Sequence, residues 1–522
     1  MMVKLSASMR FLQGSATSED YYERGVERWK EGTYDLALAD FNKAVDLNPQ
    51  YAQPRVYRAV AYIRLAQHEQ ALNELNEAIL LAPELGQAYG ERAILRYVLG
   101  EYEAAEADYN EALRCGWQSA VMHLNQSIAL NARGDCDKAI DVANRAISLN
   151  PKLAEAYVER GVAYLRKGLC DTAIKDFDQA VRLRPNLANA YLNLAMAYFS
   201  KEQPHKAVVY LEQTLKLEPQ NIKAHMIWGE LYTKTQDYDA AIARYTKAIE
   251  TNPAHSDAYG NRGFARQQKE DIEGAIEDYN QALKVDPQNA FVYNNRGWAK
   301  LVQGDFEATI ADCTEAIRYN PRLPNAYNNR GIARQQLGKH QDALADYNEA
   351  LSINPKYLNA RMNRGSVHYV LKHYQESIID CTEALALDSD AFPAYLHRGM
   401  SYYLTGNHKG AIADATEAIR LRPTYLNCYI NRAEANFALG DYQTALTDFQ
   451  KVYELAPEYN FATAGLAITR HALGSTDEAL RLWQTLLEKD ERYRDAEWVQ
   501  QELHWVAPLV DEARRLIARL SR

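Results

Sequence analysis

No stretch of about 18 consecutive apolar residues occurs anywhere in the 522-residue chain, so no segment reads as a bilayer-spanning helix. Runs of like charge are also missing. The formal net charge of -10 is spread along the whole length, which argues against a surface built for a nucleic-acid backbone or an anionic membrane. The opening "MMVKLSASMRFLQGSATSED" has one early lysine but no sustained apolar core, so no secretory signal is expected and a cytoplasmic location is the default.

Cysteine is scarce. The six present, Cys115, Cys136, Cys170, Cys313, Cys381 and Cys428, form no C-x-x-C pair and stand at no metal-ligand spacing from a histidine, which predicts free thiols and no bound metal. The twelve histidines are scattered, and His368 and His373 are five residues apart, the wrong interval for one helix face. No phosphate-binding loop, dinucleotide fingerprint, nucleophile elbow or H-E-x-x-H is found, so neither an enzyme nor a cofactor is expected. Partners are expected to be proteins or peptides, with no nucleic acid and no membrane. The sequence leaves the oligomeric state open.

What the chain does have is folded composition, with 47% hydrophobic and 25% charged residues, and a period. Compared with itself at an interval of 34, it stays in register from Ser18 to Tyr493 without insertion or deletion, giving fourteen repeats. They start at 18, 52, 86, 120, 154, 188, 222, 256, 290, 324, 358, 392, 426 and 460, leaving an N-terminal tail over 1–17 and capping helices over 494–522. Position 8 of each repeat is always Gly, Ala or Ser. Position 20 is Ala in twelve repeats, position 27 is Ala in eleven, and position 32 is Pro in eleven, where it stops one helix before the next.

Apolar or aromatic residues recur at positions 4, 11, 17, 21, 24 and 28, as in Tyr157, Tyr164, Ile174, Phe177 and Val181 of repeat five. This spacing predicts two amphipathic helices per repeat. Neither buries its apolar face alone, so the hairpins must stack into an all-α solenoid. In the tail, Leu509, Ala513, Leu516 and Leu520 share one helical face, while Asp511, Glu512, Arg515 and Arg519 are expected to face water, as a capping helix requires.

The period, the small residue at 8, the alanines at 20 and 27, an aromatic near 24 and Pro at 32 resemble the tetratricopeptide repeat, most cleanly in "AYVERGVAYLRKGLCDTAIKDFDQAVRLRP" at 156–185. The resemblance implies a right-handed superhelix of helix-turn-helix hairpins whose first helices line a concave groove holding a peptide or partner protein.

Ten repeats carry Arg at position 7, and all ten carry Asp or Glu at position 23: Arg24 with Asp40, Arg58 with Glu74, Arg92 with Asp108, Arg160 with Asp176, Arg262 with Asp278, Arg296 with Asp312, Arg330 with Asp346, Arg364 with Asp380, Arg398 with Asp414 and Arg432 with Asp448. The four repeats without the arginine lack the acid as well. Co-occurrence of this kind predicts a partly buried ion pair between helices rather than a ligand-reading row of arginines.

Position 6 falls on another stripe, with 2, 9 and 13, which faces the groove. It holds Asn125, Asn193, Asn261, Asn295, Asn329, Asn363 and Asn431, and Asn261 to Asn363 occupy consecutive repeats eight to eleven. A row of amides offers donors and acceptors to the backbone of an extended peptide. It resembles the asparagine ladder in the superhelix of O-linked N-acetylglucosamine transferase, although no glycosyltransferase domain is present. Phe264 and Trp298 at position 9 and Asn294 and Asn328 at position 5 join the expected site.

The related clamp for chaperone tails is not expected, because position 5 has no Lys, position 9 no Asn and position 6 no Arg. RNA binding by a helical-repeat groove and a self-assembling structural role are the alternatives to peptide binding. Repeats six and seven, which lack the Arg–acid pair, are expected to form a softer joint.

Overall fold

The computed structural model describes Phe11 and residues 15–520. Most of the tail at 1–17 therefore lies outside the described residues. Fourteen helical hairpins follow, and their first helices begin at Ser18, Ala52, Gly86, Ala120, Ala154, Ala188, Ile222, Ser256, Ala290, Pro324, Leu358, Phe392, Leu426 and Asn460. First helices are 13 or 14 residues long, as in Ala290–Val302, and so are second helices, as in Phe306–Tyr319. No strand occurs among the described residues. The chain is an all-α solenoid, in two compact units that meet in sequence at Pro253 and Ala254, with seven hairpins in each.

The small residue at position 8 makes room for a side chain of the second helix, an aromatic ring at Gly25, Gly161, Gly229, Gly263 and Gly331 and a cysteine at Gly297 and Gly365. At Gly331 an added Cβ would come within 2.6 Å of the Tyr347 ring, and Tyr347 is fully buried. Between the two helices the chain reverses through position 15, which has positive φ in all fourteen repeats: nine times it is Gly, and otherwise it is Ala66, Glu202, Gln236, Glu270 or Lys372. These left-handed residues close each first helix by a tight turn.

In the second unit a 3-10 turn at Glu491–Arg494 and a short helix at Ala496–Leu503 lead into a last helix, Ala507–Leu520. That helix packs on the first helices of repeats thirteen and fourteen, where Leu509, Val510, Ala513 and Leu516 join Phe437, Leu466 and Ile468 in one core. Asp511, Arg515 and Arg519 are exposed as expected, but Glu512 is not. It is buried against His471 at 2.6 Å, because the first helix of repeat fourteen presents an imidazole at the edge of that apolar core and the carboxylate is covered where it meets it. Nearby, burial pushes the Glu434 carboxyl well above its usual range, and the adjacent Trp505 indole offsets this only in part.

Candidate functional site: an amide-lined groove on clamped hairpins

Each of the ten arginines at position 7 meets the acid at position 23 of its own repeat. With aspartate the contact is side-on. Arg296 donates from Nε to Asp312 Oδ2 at 2.8 Å and from Nη2 to Oδ1 at 2.6 Å, and Arg364 does the same to Asp380 at 2.8 and 2.5 Å. In repeat ten, Arg330 Nη2 lies 2.7 Å from Asp346 Oδ1. Glu74, one methylene longer, takes only the Nη2 of Arg58, leaving that arginine's Nε buried without a partner.

The third nitrogen reaches the preceding hairpin. Arg296 Nη1 donates to Asn280, Arg364 Nη1 to Asn348, both at 2.7 Å, and Arg330 Nη1 to Thr314 at 3.1 Å. One guanidinium therefore closes its own repeat and ties it to the one before, which a lysine could not do with the same geometry. Position 11 departs from the apolar expectation in these repeats: Arg28, Arg96, Arg266, Lys300 and Arg334 each bring a second cation to the same aspartate, Arg334 at 2.7 Å from Asp346. The physical reason is that a long cationic side chain covers apolar surface with its stem while its head meets the carboxylate at the edge of water.

These clamps fix the first helices of repeats eight to eleven, and along them runs a cavity of about 520 Å³. Asn294, Asn295, Asn328, Asn329, Asn363 and Trp298, all expected in the site, line it together. Gln267, Gln268, Asn325 and Asn359 line it too, with Ile332 and Tyr357, so that nine of the twelve lining residues are carboxamides and none is charged. Burial raises the Tyr357 phenol above its ordinary value, so it stays neutral.

The amides are organised across repeats. Asn329 Nδ2 donates to Asn294 Oδ1 at 3.1 Å, and one repeat further on Asn363 Nδ2 donates to Asn328 Oδ1 at 3.0 Å. Asn294 Nδ2 in turn donates to Asn295 Oδ1 at 3.1 Å. Gln267 is held from behind, its Oε1 accepting from the hydroxyl of the fully buried Tyr279 at 3.0 Å. Position 5 thus anchors position 6 of the next repeat. Because each amide has two N–H groups and two lone pairs, the anchored side chains keep capacity for a ligand.

The remaining expected residues lie elsewhere. Asn261 is half-buried and Phe264 exposed, both in repeat eight but outside the cavity lining. Asn193 turns back onto its own helix, donating to the Asn189 carbonyl at 2.8 Å, Asn125 is half-buried in repeat four, and Asn431 is buried in repeat thirteen. Six lining residues were missed: Gln267, Ile332 and Tyr357, and also Asn325 and Asn359 at position 2 and Gln268 at position 13, although these last three belong to the very stripe that position 6 defines. Asking for amides at all four stripe positions would have found Asn325, Asn359 and Gln268, but not Gln267 at position 12.

The buried thiols are inert by environment: burial pushes Cys313 and Cys381 up to about 12. Among the described residues no three His, Cys, Asp or Glu side chains gather to hold a metal ion, and no helix is long and apolar enough to cross a membrane.

A crystal structure of the APC/C hetero-tetramer Cut9-Hcn1 is similar over 88% of this chain and 97% of that one, at 15% identity and TM-score 0.46. The crystal structure of yeast Tom70 aligns over 82% of this chain and 96% of that one (16% identity, TM-score 0.36), and that of YrrB, a TPR protein with an unusual peptide-binding site, over 37% and 97% (25% identity, TM-score 0.32). Among curated sequences, 53 residues are 41% identical to the uncharacterized protein MJ0572 of Methanocaldococcus jannaschii, 10% of this chain and 62% of that protein, so the chain spans less than two thirds of this relative. Models of the tetratricopeptide repeat match residues 28–90, 152–219, 324–357, 392–425 and 427–459, and TPR repeat models match 129–168, 229–269 and 265–304. These matches cover more than half of the chain, and those at 324–357 and 392–425 coincide with single hairpins: it belongs to the tetratricopeptide repeat family.

Proposed function

We propose that this protein is a non-catalytic interaction scaffold that holds an extended segment of a partner polypeptide in the groove of repeats eight to eleven. The observation that carries this reading is the lining itself, nine carboxamides and no charge. Amides pair with peptide N–H and C=O whatever the side chains, while Trp298, Ile332 and Tyr357 supply the apolar contact that gives such a groove affinity. The anchoring bonds from Asn329 to Asn294 and from Asn363 to Asn328 hold the groove in shape before a ligand arrives, which lowers the entropic cost of binding. A phosphate backbone would find no cation among the lining residues, so single-stranded RNA fits poorly.

The test is selection of a displayed library of unbiased peptides against the full chain and, in parallel, against an Asn325→Ala, Asn359→Ala variant. Both positions are exposed, so the fold should be untouched. Peptides enriched on the wild type are expected to bind the variant at least about ten-fold more weakly, one to two lost hydrogen bonds' worth. Equal binding to both proteins would place recognition outside this groove.

A further inference from the structure

Resting on that peptide-binding reading, we infer that the groove takes its ligand as a polyproline II helix, read once per repeat at every third residue and through uncharged faces. The rung spacing is the first argument. Asparagine is a short side chain, and the same position-5 to position-6 contact recurs at 3.1 and 3.0 Å in successive repeats. Such contacts between short side chains require neighbouring first helices to pack directly, at a separation of about 8–10 Å. A ligand that presents equivalent groups to successive rungs must therefore repeat at about that distance.

Polyproline II meets this condition and the other regular conformations do not. It has three residues per turn and a rise of about 3.1 Å, so residues i and i+3 lie about 9 Å apart on the same face. A β-strand advances a similar distance in three residues but turns residue i+3 to the opposite face. An α-helix uses up its own backbone groups and leaves none for the amides. Polyproline II makes no internal hydrogen bonds, so its N–H and C=O groups are free to meet one rung per turn.

The apolar contacts keep the same period. Trp298 and Ile332 both stand at position 9, one repeat apart, and each lines the cavity. A flat indole suits the pyrrolidine face that such a helix presents. With no charge in the lining, an Asp, Glu, Lys or Arg of the ligand turned inwards would lose water without gaining a partner. The occupant is thus an uncharged, proline-containing segment of about seven residues, the length that spans the three rungs of Asn295, Asn329 and Asn363 at this rise.

The experiment is a backbone scan of a peptide enriched in the selection above. Each amide other than those preceding proline is replaced in turn by an ester, which removes the N–H and weakens the carbonyl acceptor, and binding to the full-length chain is read by fluorescence anisotropy. Losses of about ten-fold recurring at every third residue, with little change between, are expected. A two-residue period, or losses with no period, would overturn the polyproline II register and leave peptide binding standing. Enrichment of no peptide at all would overturn the register together with the reading on which it rests.

Discussion

Repeats eight to ten and repeats six and seven share one 34-residue frame and close their hairpins by different chemistry. In the former, Arg262, Arg296 and Arg330 clamp a buried aspartate, each helped by a second cation. In repeat six the places of that pair are taken by Leu194 and Tyr210, and the Tyr210 ring stacks on Tyr198 with centroids 5.4 Å apart. In repeat seven the polarity is reversed, with Arg244 of the second helix 3.4 Å above the Trp228 ring of the first. A directional, charge-assisted bond defines how far one helix can slide on the other, whereas stacked rings tolerate sliding. The groove that demands fixed amide geometry stands on the directional clamps.

The largest expected effect breaks the clamped side of this comparison. Asp346→Ala leaves Arg330 and Arg334 facing one another with their carboxylate gone, and should cost about 3 kcal/mol or more, since removing one member of a buried pair strands the other. Native-state hydrogen exchange over 324–357 would register the loss as faster opening of repeat ten. Replacing Arg330 and Asp346 together by apolar residues of similar volume should recover much of it. If Asp346→Ala opened repeat ten no faster than wild type, the clamp would be ornament.

A smaller effect compares the two regions directly in the wild-type chain. A hydrogen bond to a charged group contributes about 1.5–3 kcal/mol and an aromatic pair about 0.5–1.5. Residues 188–255 are therefore expected to open more readily than repeats eight to ten by about 1 kcal/mol. Exchange that is uniform across both stretches would remove the idea of a softer joint in repeats six and seven.

The two sides also differ in how far sequence alone could reach them. The repeat frame was legible because small residues and prolines mark backbone constraints that no neighbour can relax, and the Arg–acid partnership because both members vanish together in repeats four, six, seven and fourteen. The cations at position 11 were not legible: in other repeats that position holds Tyr62, Tyr164 or Leu130, and periodicity cannot distinguish a stem that covers apolar surface from a side chain that is apolar throughout. Glu512 was misplaced for a related reason. Its own helix has a clean apolar face, and only the partner surface, with His471 on it, decides that a carboxylate beside that face is covered. Within the groove, position 6 drew attention because its asparagines run through four consecutive repeats, while position 2 carries Asn189, Asn325, Asn359 and Asn427, of which only Asn325 and Asn359 are adjacent and line the cavity.

The smallest effect sharpens the comparison at the turns. Position 15 adopts left-handed backbone throughout, yet Glu202 at φ 56° and Gln236 at φ 63° hold it in repeats six and seven where repeats nine and ten use Gly304 and Gly338. A residue with a Cβ pays about 1–2 kcal/mol for that conformation, and glycine regains part of this as extra freedom in the unfolded chain. Gln236→Gly should therefore stabilise repeat seven by roughly 0.5–1 kcal/mol, and Gly338→Gln should destabilise repeat ten by a similar amount. No heavy atom lies within 4 Å of a Cβ built on Gly338, so the second change tests backbone strain alone. If both substitutions shift local exchange in these opposite directions, the turns and the missing clamps act on the same repeats as separate increments. If Gln236→Gly leaves exchange over 222–255 unchanged, any faster opening measured there belongs to its aromatic hairpins.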